Sequence, residues 1–303
     1  MTKEHVSPSG VRIMSDFRDN LIIDRYDPVF ASMRASKRKH LRSANSEDAV
    51  TWNVFRSLRQ VAPTVWLPEL FSEAFPTHGL THSEHATVAI WKTVAPPPGL
   101  ILDGDEGESE IDVVIETPSI VWFIEAKLTS DISTKTTTRG DRDQVLRNID
   151  VGSYYAGTRR FFFSLLIADE KRSGAGAQKV REYEDLSEPR RLLAPHRPDG
   201  LANLAGVSQL RWSRVSEVLA DAAGNAPREE EREYARRAHA WLTGKGLAGA
   251  NTPSEDVRRW LPSSPNTSCH RHVKHSSHEI QAARSEAARR SWRIRRASRQ
   301  FLA

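Results

Sequence analysis

Two carboxylates and an ammonium interrupt the apolar runs of IDVVIETPSIVWFIEAKLTSD, residues 111–131: Asp112, Glu125 and Lys127. In a strand, residues two apart share a face, so Glu125 and Lys127 project the same way, roughly 7 Å apart along the strand. A two-residue turn at Thr117-Pro118 pairs Asp112 with Phe123, diagonal to Glu125, whereas a four-residue loop sets it directly opposite Glu125. Either register leaves both carboxylates on one face, and an odd loop length breaks the arrangement. Two such carboxylates repel, and in a partly buried site they call for a cation between them. Oxygen ligands suit a hard ion such as Mg²⁺, with Mn²⁺ as the alternative, which keeps several waters and completes its shell with substrate phosphate. Lys127 beside them could orient or deprotonate an attacking water and offset charge on a phosphorane-like transition state. This is equipment for metal-assisted phosphodiester hydrolysis. The bland alternative is a cross-strand salt bridge on a solvated sheet face, worth ~0.2–1 kcal/mol; the apolar residues of VWFIEA on both faces weigh against it.

The elements that position this hairpin follow from periodicity. From Asn45 the pattern is helical, capped by Asn45 or Ser46, with Val50, Val54, Leu58 and Val61 on one stripe and Glu47 in the middle of it, while Asp48 points elsewhere. A Pro- and His-rich connector leads to a strand at 85–94, then a loop, APPPGLILDGDEGESE, then strands at 110–116 and 119–128. DRDQVLRNIDVGSYYAG reads as a helix of about four turns ended by Gly157, and FFFSLLIA as a buried strand. Beyond it, Ser173–Gln178 reads as a flexible loop. AQKVREYEDL, SRVSEVLADAA and PREEEREYARRAHAWLTG read as surface helices, the last with Pro227 in its first turn, and LRW before Ser213 as one more edge strand. The expected fold is α/β, a mixed sheet flanked by helices with a helical C-terminal part. Residues 1–44 read as a loosely attached lead-in, 45–249 as the domain, and 250–303 as linker and basic tail, disordered or a single helix.

On these residues the chain resembles the PD-(D/E)XK nucleases, restriction-endonuclease-like proteins whose signature is an acid on one hairpin strand and acid-x-Lys on the next. Asp112 matches the first acid and Glu125-Ala126-Lys127 the triplet. The helix, three-strand, helix, strand order of residues 45–170 resembles the family's αβββαβ core. The resemblance implies Asp112, Glu125 and the Ala126 carbonyl as metal ligands, with Lys127 positioning the water. It further implies Glu47 as an acid from the first core helix and Gln144 as the polar residue of the helix after the hairpin, with Tyr155 a weaker candidate on the face shared by Gln144, Asn148 and Val151. Gln-x3-Asn departs from the Gln-x3-Tyr of the exonuclease-like branch, and Ile111 stands where the family has proline. The activity implied is a Mg²⁺-dependent deoxyribonuclease. Glu47 also has a plain reading as a first-turn carboxylate favoured by the helix dipole, and Gln144 as an exposed polar residue.

Composition bounds the rest. With 303 residues, 38% hydrophobic and 27% charged, the chain can bury a sizeable core. The single cysteine, Cys269, excludes an internal disulfide framework. MTKEHVSPSG lacks the apolar run of a signal peptide and FFFSLLIA is too short to span a bilayer, so a cytoplasmic protein with no membrane partner is expected. From Cys269 onward nine Lys or Arg face two Glu, a local charge of +7 that leaves −2 for residues 1–268. The Arg284–Arg299 stretch, with Trp292 for stacking, is the candidate non-specific nucleic-acid contact. The histidines around Cys269 lack zinc-site spacing, and His78, His82 and His85 read as surface loop residues. Two other functions fit the chain: an inactive nuclease-fold nucleic-acid-binding protein, and a regulatory or protein-interaction module. A homodimer is compatible with each of these readings, the nuclease included.

Overall fold

Three runs rich in β-branched and aromatic residues form an antiparallel meander: β1 (Thr87–Val94), β2 (Ser109–Glu116) and β3 (Ile120–Ala126). Two more strands, β4 (Arg160–Ile167) and β5 (Leu204–Arg211), continue the sheet parallel to β3, giving the order β1-β2-β3-β4-β5. The computed structural model describes residues 5–98, 107–135 and 142–249, which fall within a compact unit bounded by Pro262. All seven residues of β3 and seven of the eight in β4 are buried, as continuous apolar runs at the centre of a covered sheet must be. The fold is therefore α/β, a five-stranded mixed sheet flanked by helices.

Helices α2 (Glu47–Leu58), α3 (Pro63–Ala74), α7 (Trp212–Asn225) and α8 (Glu229–Gly244) belong to one core with Val113, Ile115, Trp122 and Ile124 of the sheet. The opposite core unites α4 (Gln144–Ala156), α5 (Gly174–Glu184) and α6 (Ser187–Leu193) with Val114, Phe123, Phe161 and Phe163. Ser46 caps α2 by accepting from the Ala49 amide, and the expected stripe of Val50, Val54, Leu58 and Val61 is fully buried. At Gly152 of α4 a Cβ would come within 2.1 Å of the Phe161 ring, so only glycine lets this helix lie so close to β4.

Four expectations need correction. The connector after α2 contains a helix: α3 begins with Pro63 at its first turn and puts Trp66, Leu67, Leu70 and Phe71 inward, while Pro68 faces solvent and spares the buried side. Ser173–Gln178 is no loop; α5 starts at Gly174 because the Asp131 carboxylate accepts from the Ala175 and Gly176 amides at 2.8 and 2.9 Å. Pro227 lies just outside α8, whose cap is Arg228. Residues 5–44 are not loosely attached: Phe17, Leu21, Phe30 and α1 (Ala35–Leu41) through Leu41 pack with Trp52 of α2 and Trp91 of β1. Asn53 fixes the junction by accepting from the Ile22 amide and donating to the Asn20 carbonyl. The expected linker and basic tail, residues 250–303, lie outside the described residues. Among those described, no helix is long and apolar enough to cross a membrane.

The α4 helix is anchored by a buried acid. Asp150, fully buried, takes 2.8 Å bonds from Arg142 and Arg197 and lies 3.3 Å from His196. Removing it takes away the buried carboxylate that Arg142 and Arg197 share, although Arg197 keeps Asp199 at 2.6 Å. Asp150→Ala is expected to cost about 3–5 kcal/mol in urea unfolding; a loss below 1 kcal/mol would mean that the arginines find other partners.

Candidate active site

The hairpin turn decides the geometry. The Thr117 amide donates to the Ile120 carbonyl, and pairs run from Glu116↔Val121 to Val113↔Ile124. Continued by one residue, this register sets Asp112 directly opposite Glu125, the arrangement expected of a four-residue loop. Asp112 also accepts from the Ala126 amide at 2.9 Å. On its other side Asp112 faces Trp91, where the β1–β2 ladder is interrupted. Trp91 has φ +55°, a left-handed conformation that costs a non-glycine residue about 1–3 kcal/mol.

Glu125 and Lys127 are both buried, at 4% and 9% exposure. The Lys127 ammonium donates to Glu125 Oε1 at 2.7 Å, Gln144 donates to the same oxygen at 2.6 Å, and Asn148 donates to Oε2 at 3.0 Å. Gln144 opens α4 and Asn148 follows one turn later, so one helix face serves one carboxylate. The helix start is held in turn: Asp143 caps it through the Leu146 amide and accepts a 2.6 Å bond from the Tyr183 hydroxyl. Behind Lys127, its amide donates to the Leu166 carbonyl and its carbonyl accepts from Trp212 Nε1. The backbone that carries the ammonium is thus fixed from two sides.

Glu47 reaches the site from the first turn of α2. It accepts from the Leu128 amide at 2.6 Å and from the Ser130 hydroxyl at 2.8 and 2.9 Å. It therefore clamps the chain leaving β3, directly after Lys127. Tyr155 is at the far end of α4, where its hydroxyl donates to Glu116 in a cluster with Lys92 and Arg159. It is not brought to Glu125.

The site is electrostatically loaded. Burial first, and the nearby Glu125 charge second, hold the Asp112 carboxyl well above the usual carboxylate range, with Lys127 and the Ala126 amide opposing. Burial works to lower the Lys127 pKa, but attraction to Glu125, Asp112 and Glu47 overrides it, and the pKa is raised. Lys127 is a cation at neutral pH. With three carboxylates around one ammonium, the group keeps an excess of negative charge whenever Asp112 is ionised.

Sequence reasoning found Glu47, Asp112, Glu125, Lys127 and Gln144, and all five lie in this one network. Asn148, on the same face as the candidates Gln144 and Tyr155, is the functional side chain that the sequence reading passes over, although the spacing of four residues puts it over the same spot as Gln144. Sequence reasoning missed a second group beside Asp112. Lys37 of α1 lies 3.3 Å from Asp48, pairs with Glu110, and sits 4.4 Å from the Trp91 ring centre. Asp48 is itself raised by burial, against the pull of Lys37, and its charge adds to the field on Asp112. Nothing in the basic stretch around Lys37 signals that contact.

As a metal site the donor set is limited. Among the described residues no three His, Cys, Asp or Glu side chains converge on one point, since Glu47 is committed to Leu128 and Ser130. Asp112 and Glu125 remain, two hard oxygen donors whose repulsion Lys127 offsets only in part, which fits an ion that keeps most of its waters. His82 and His85 stand in a surface turn beside Glu84, as expected.

Compared with protein-family models, curated proteins and solved structures, the chain matches none.

The Asp112 shift carries a sign. The unfolded carboxyl loses its proton near its ordinary value, whereas the folded one holds it to higher pH, so stability falls as pH rises across that interval. Asp112→Asn keeps an acceptor for the Ala126 amide and removes the charge. The variant is expected to melt above wild type at pH 8, with the gap closing toward pH 3; an equal gap at both pH values would show that ionisation of the buried carboxyl is not the cause.

Proposed function

We propose that the chain is a metal-dependent nuclease of the PD-(D/E)XK, restriction-endonuclease-like type, hydrolysing phosphodiester bonds, with DNA as substrate. The observation that carries this reading is the pair Asp112 and Glu125, opposite each other on one sheet face, with the Lys127 ammonium 2.7 Å from Glu125. The element order supports it as well: helices precede the three-stranded meander, and α4 connects the parallel strands β3 and β4.

Asp112, Glu125 and the Ala126 carbonyl would hold a Mg²⁺ or Mn²⁺ ion. Such an ion, when bound, polarises the scissile phosphate and supplies a more acidic water. The chain's own residues do the remaining work. Lys127 has no free lone pair at neutral pH, so it acts by orienting the attacking oxygen and offsetting charge that grows on the phosphate oxygens. Gln144 and Asn148 set the plane of the Glu125 carboxylate. Glu47 positions rather than reacts, since it holds the Leu128–Ser130 backbone that follows Lys127. A cation held there would offset the Glu125 charge that, after burial, raises Asp112, so millimolar Mg²⁺ is expected to increase the melting temperature of wild type and not that of Asp112→Asn.

One observation favours a second reading. Both Glu125 oxygens are already bonded by protein donors, as they would be in a nucleic-acid-binding protein whose hairpin charges are structural. The two readings separate in a cleavage assay on circular and linear DNA with Mg²⁺, Mn²⁺ or EDTA. Catalysis predicts metal-dependent cutting that drops at least ~100-fold in Lys127→Ala, while that variant stays folded and binds DNA. Wild-type protein that binds but cuts with neither ion would leave the binding reading standing.

A further inference from the structure

A second charged feature lies on the N-terminal segment, outside the hairpin network. Residues 34–42, RASKRKHLR, contain five Lys or Arg and no acid, in a chain whose first 268 residues carry −2 overall. The segment forms α1, and between α1 and the turn at Phe17–Asn20 runs a surface groove of about 390 Å³. Its lining includes Arg18, Arg38, Lys39 and Arg42 against one acid, Asp16.

Three of these four cations are not neutralised. Arg18 pairs with Asp16 at 3.1 Å. Arg38 instead donates to the backbone carbonyls of Phe30 and Met33 at 3.0 and 2.7 Å, and Arg42 to the Met14 carbonyl at 2.6 Å. Lys39 is exposed, and none of Arg38, Lys39 and Arg42 meets a carboxylate among the described residues. Carbonyl bonds hold two guanidinium groups still without cancelling their charge. A rigid, uncompensated cluster of this kind has lost little of its attraction for an anion and pays little entropy to bind one. On the same short helix, Lys37 touches Asp48 and Glu110, the acids flanking Asp112. Since α1 has seven residues, the groove lies within about 10 Å along the helix of the cation that borders the candidate active site.

We infer that this groove is a docking site for the phosphodiester backbone of DNA. It takes a phosphate to one side of the hairpin and so sets where the strand crosses Asp112 and Glu125. The choice of DNA as the polyanion rests on the proposed function; the need for a polyanion rests on the groove alone. Of the other aspartates on the segment, Asp24 and Asp27 are held by Arg56, and Asp19, exposed in the Phe17–Asn20 turn, does not line the groove.

The test uses the full chain with a short DNA duplex in EDTA, which keeps the duplex whole. Two measurements are made: acetylation of the Lys39 amine followed by mass spectrometry, and binding against salt for wild type and for the double variant Arg34→Glu, Lys39→Glu. Both positions are exposed and neither side chain meets a carboxylate among the described residues, so the variant is expected to melt like wild type. The proposal predicts that duplex blocks acetylation at Lys39, and that the variant loses about tenfold in affinity with a salt slope smaller by about one to two. Bound duplex with Lys39 still reactive and the slope unchanged would overturn it, as would no binding at any salt. Cleavage in Mg²⁺ is scored separately. Protection of Lys39 without cleavage removes the nuclease reading and keeps the groove, and cleavage without protection does the reverse.

Discussion

An acid at the end of a strand buried on both faces must be neutral, paired or fully hydrogen-bonded, because the cost of an isolated buried charge exceeds what any single domain can spare. Glu125 is that acid, and much of the local architecture answers to it. Lys127 supplies the charge, and Gln144 and Asn148 supply the remaining donors. Those amides are useful only if α4 begins where it does. Its start is tied by Asp143 to Tyr183 of α5, and its middle by Asp150 to Arg142 and Arg197. The chain around Lys127 is fixed by Leu166 of β4 and Trp212 of α7. One buried carboxylate thus recruits both helical layers and the neighbouring strand.

Asp112 imposes the matching demand from the other strand. It faces Glu125 across the ladder, and on its far side β1 breaks pairing at Trp91. The left-handed backbone there accompanies a ring that stacks on Trp52 at 5.0 Å and packs with Phe30. The N-terminal segment is therefore part of the site's support: its aromatic residues hold Trp91 and its Lys37 holds the acids beside Asp112. A strained residue of this kind persists only where surrounding packing over-determines it.

Strand positions, the α2 cap and stripe, and the shared face of Asp112 and Glu125 were legible because they depend on local periodicity and turn chemistry. Four-residue spacing even brought Gln144 and Asn148 together. The α3 helix was hidden by its prolines, although Trp66, Leu67, Leu70 and Phe71 keep helical spacing; a proline on the solvent face removes a bond that water can replace. The start of α5 was unreadable for a different reason. Its cap, Asp131, lies more than forty residues earlier in the chain and meets it only in the folded sheet. The same holds for Lys37 with Glu110, and for Trp212 with Lys127. Contacts across the chain leave no periodic trace, and they are the ones that turn a pattern into a site.

Energetics then weighs between scaffold and site. A salt bridge kept for stability needs one acid per base, with both ordinarily at the surface or fully compensated. Here Glu47, Asp112 and Glu125 surround one ammonium, Asp112 is pushed toward protonation by burial and by Glu125, and Trp91 opposite it is strained. Replacing Asp112 by a neutral residue would ease the first two burdens without disturbing either core, since Val113 and Val114 on each side remain in place. The acceptor that Asp112 provides for the Ala126 amide could be supplied by a neutral asparagine. The proposed function would account for that burden: a cation bound there would supply the positive charge that the excess of carboxylates over lysine leaves missing.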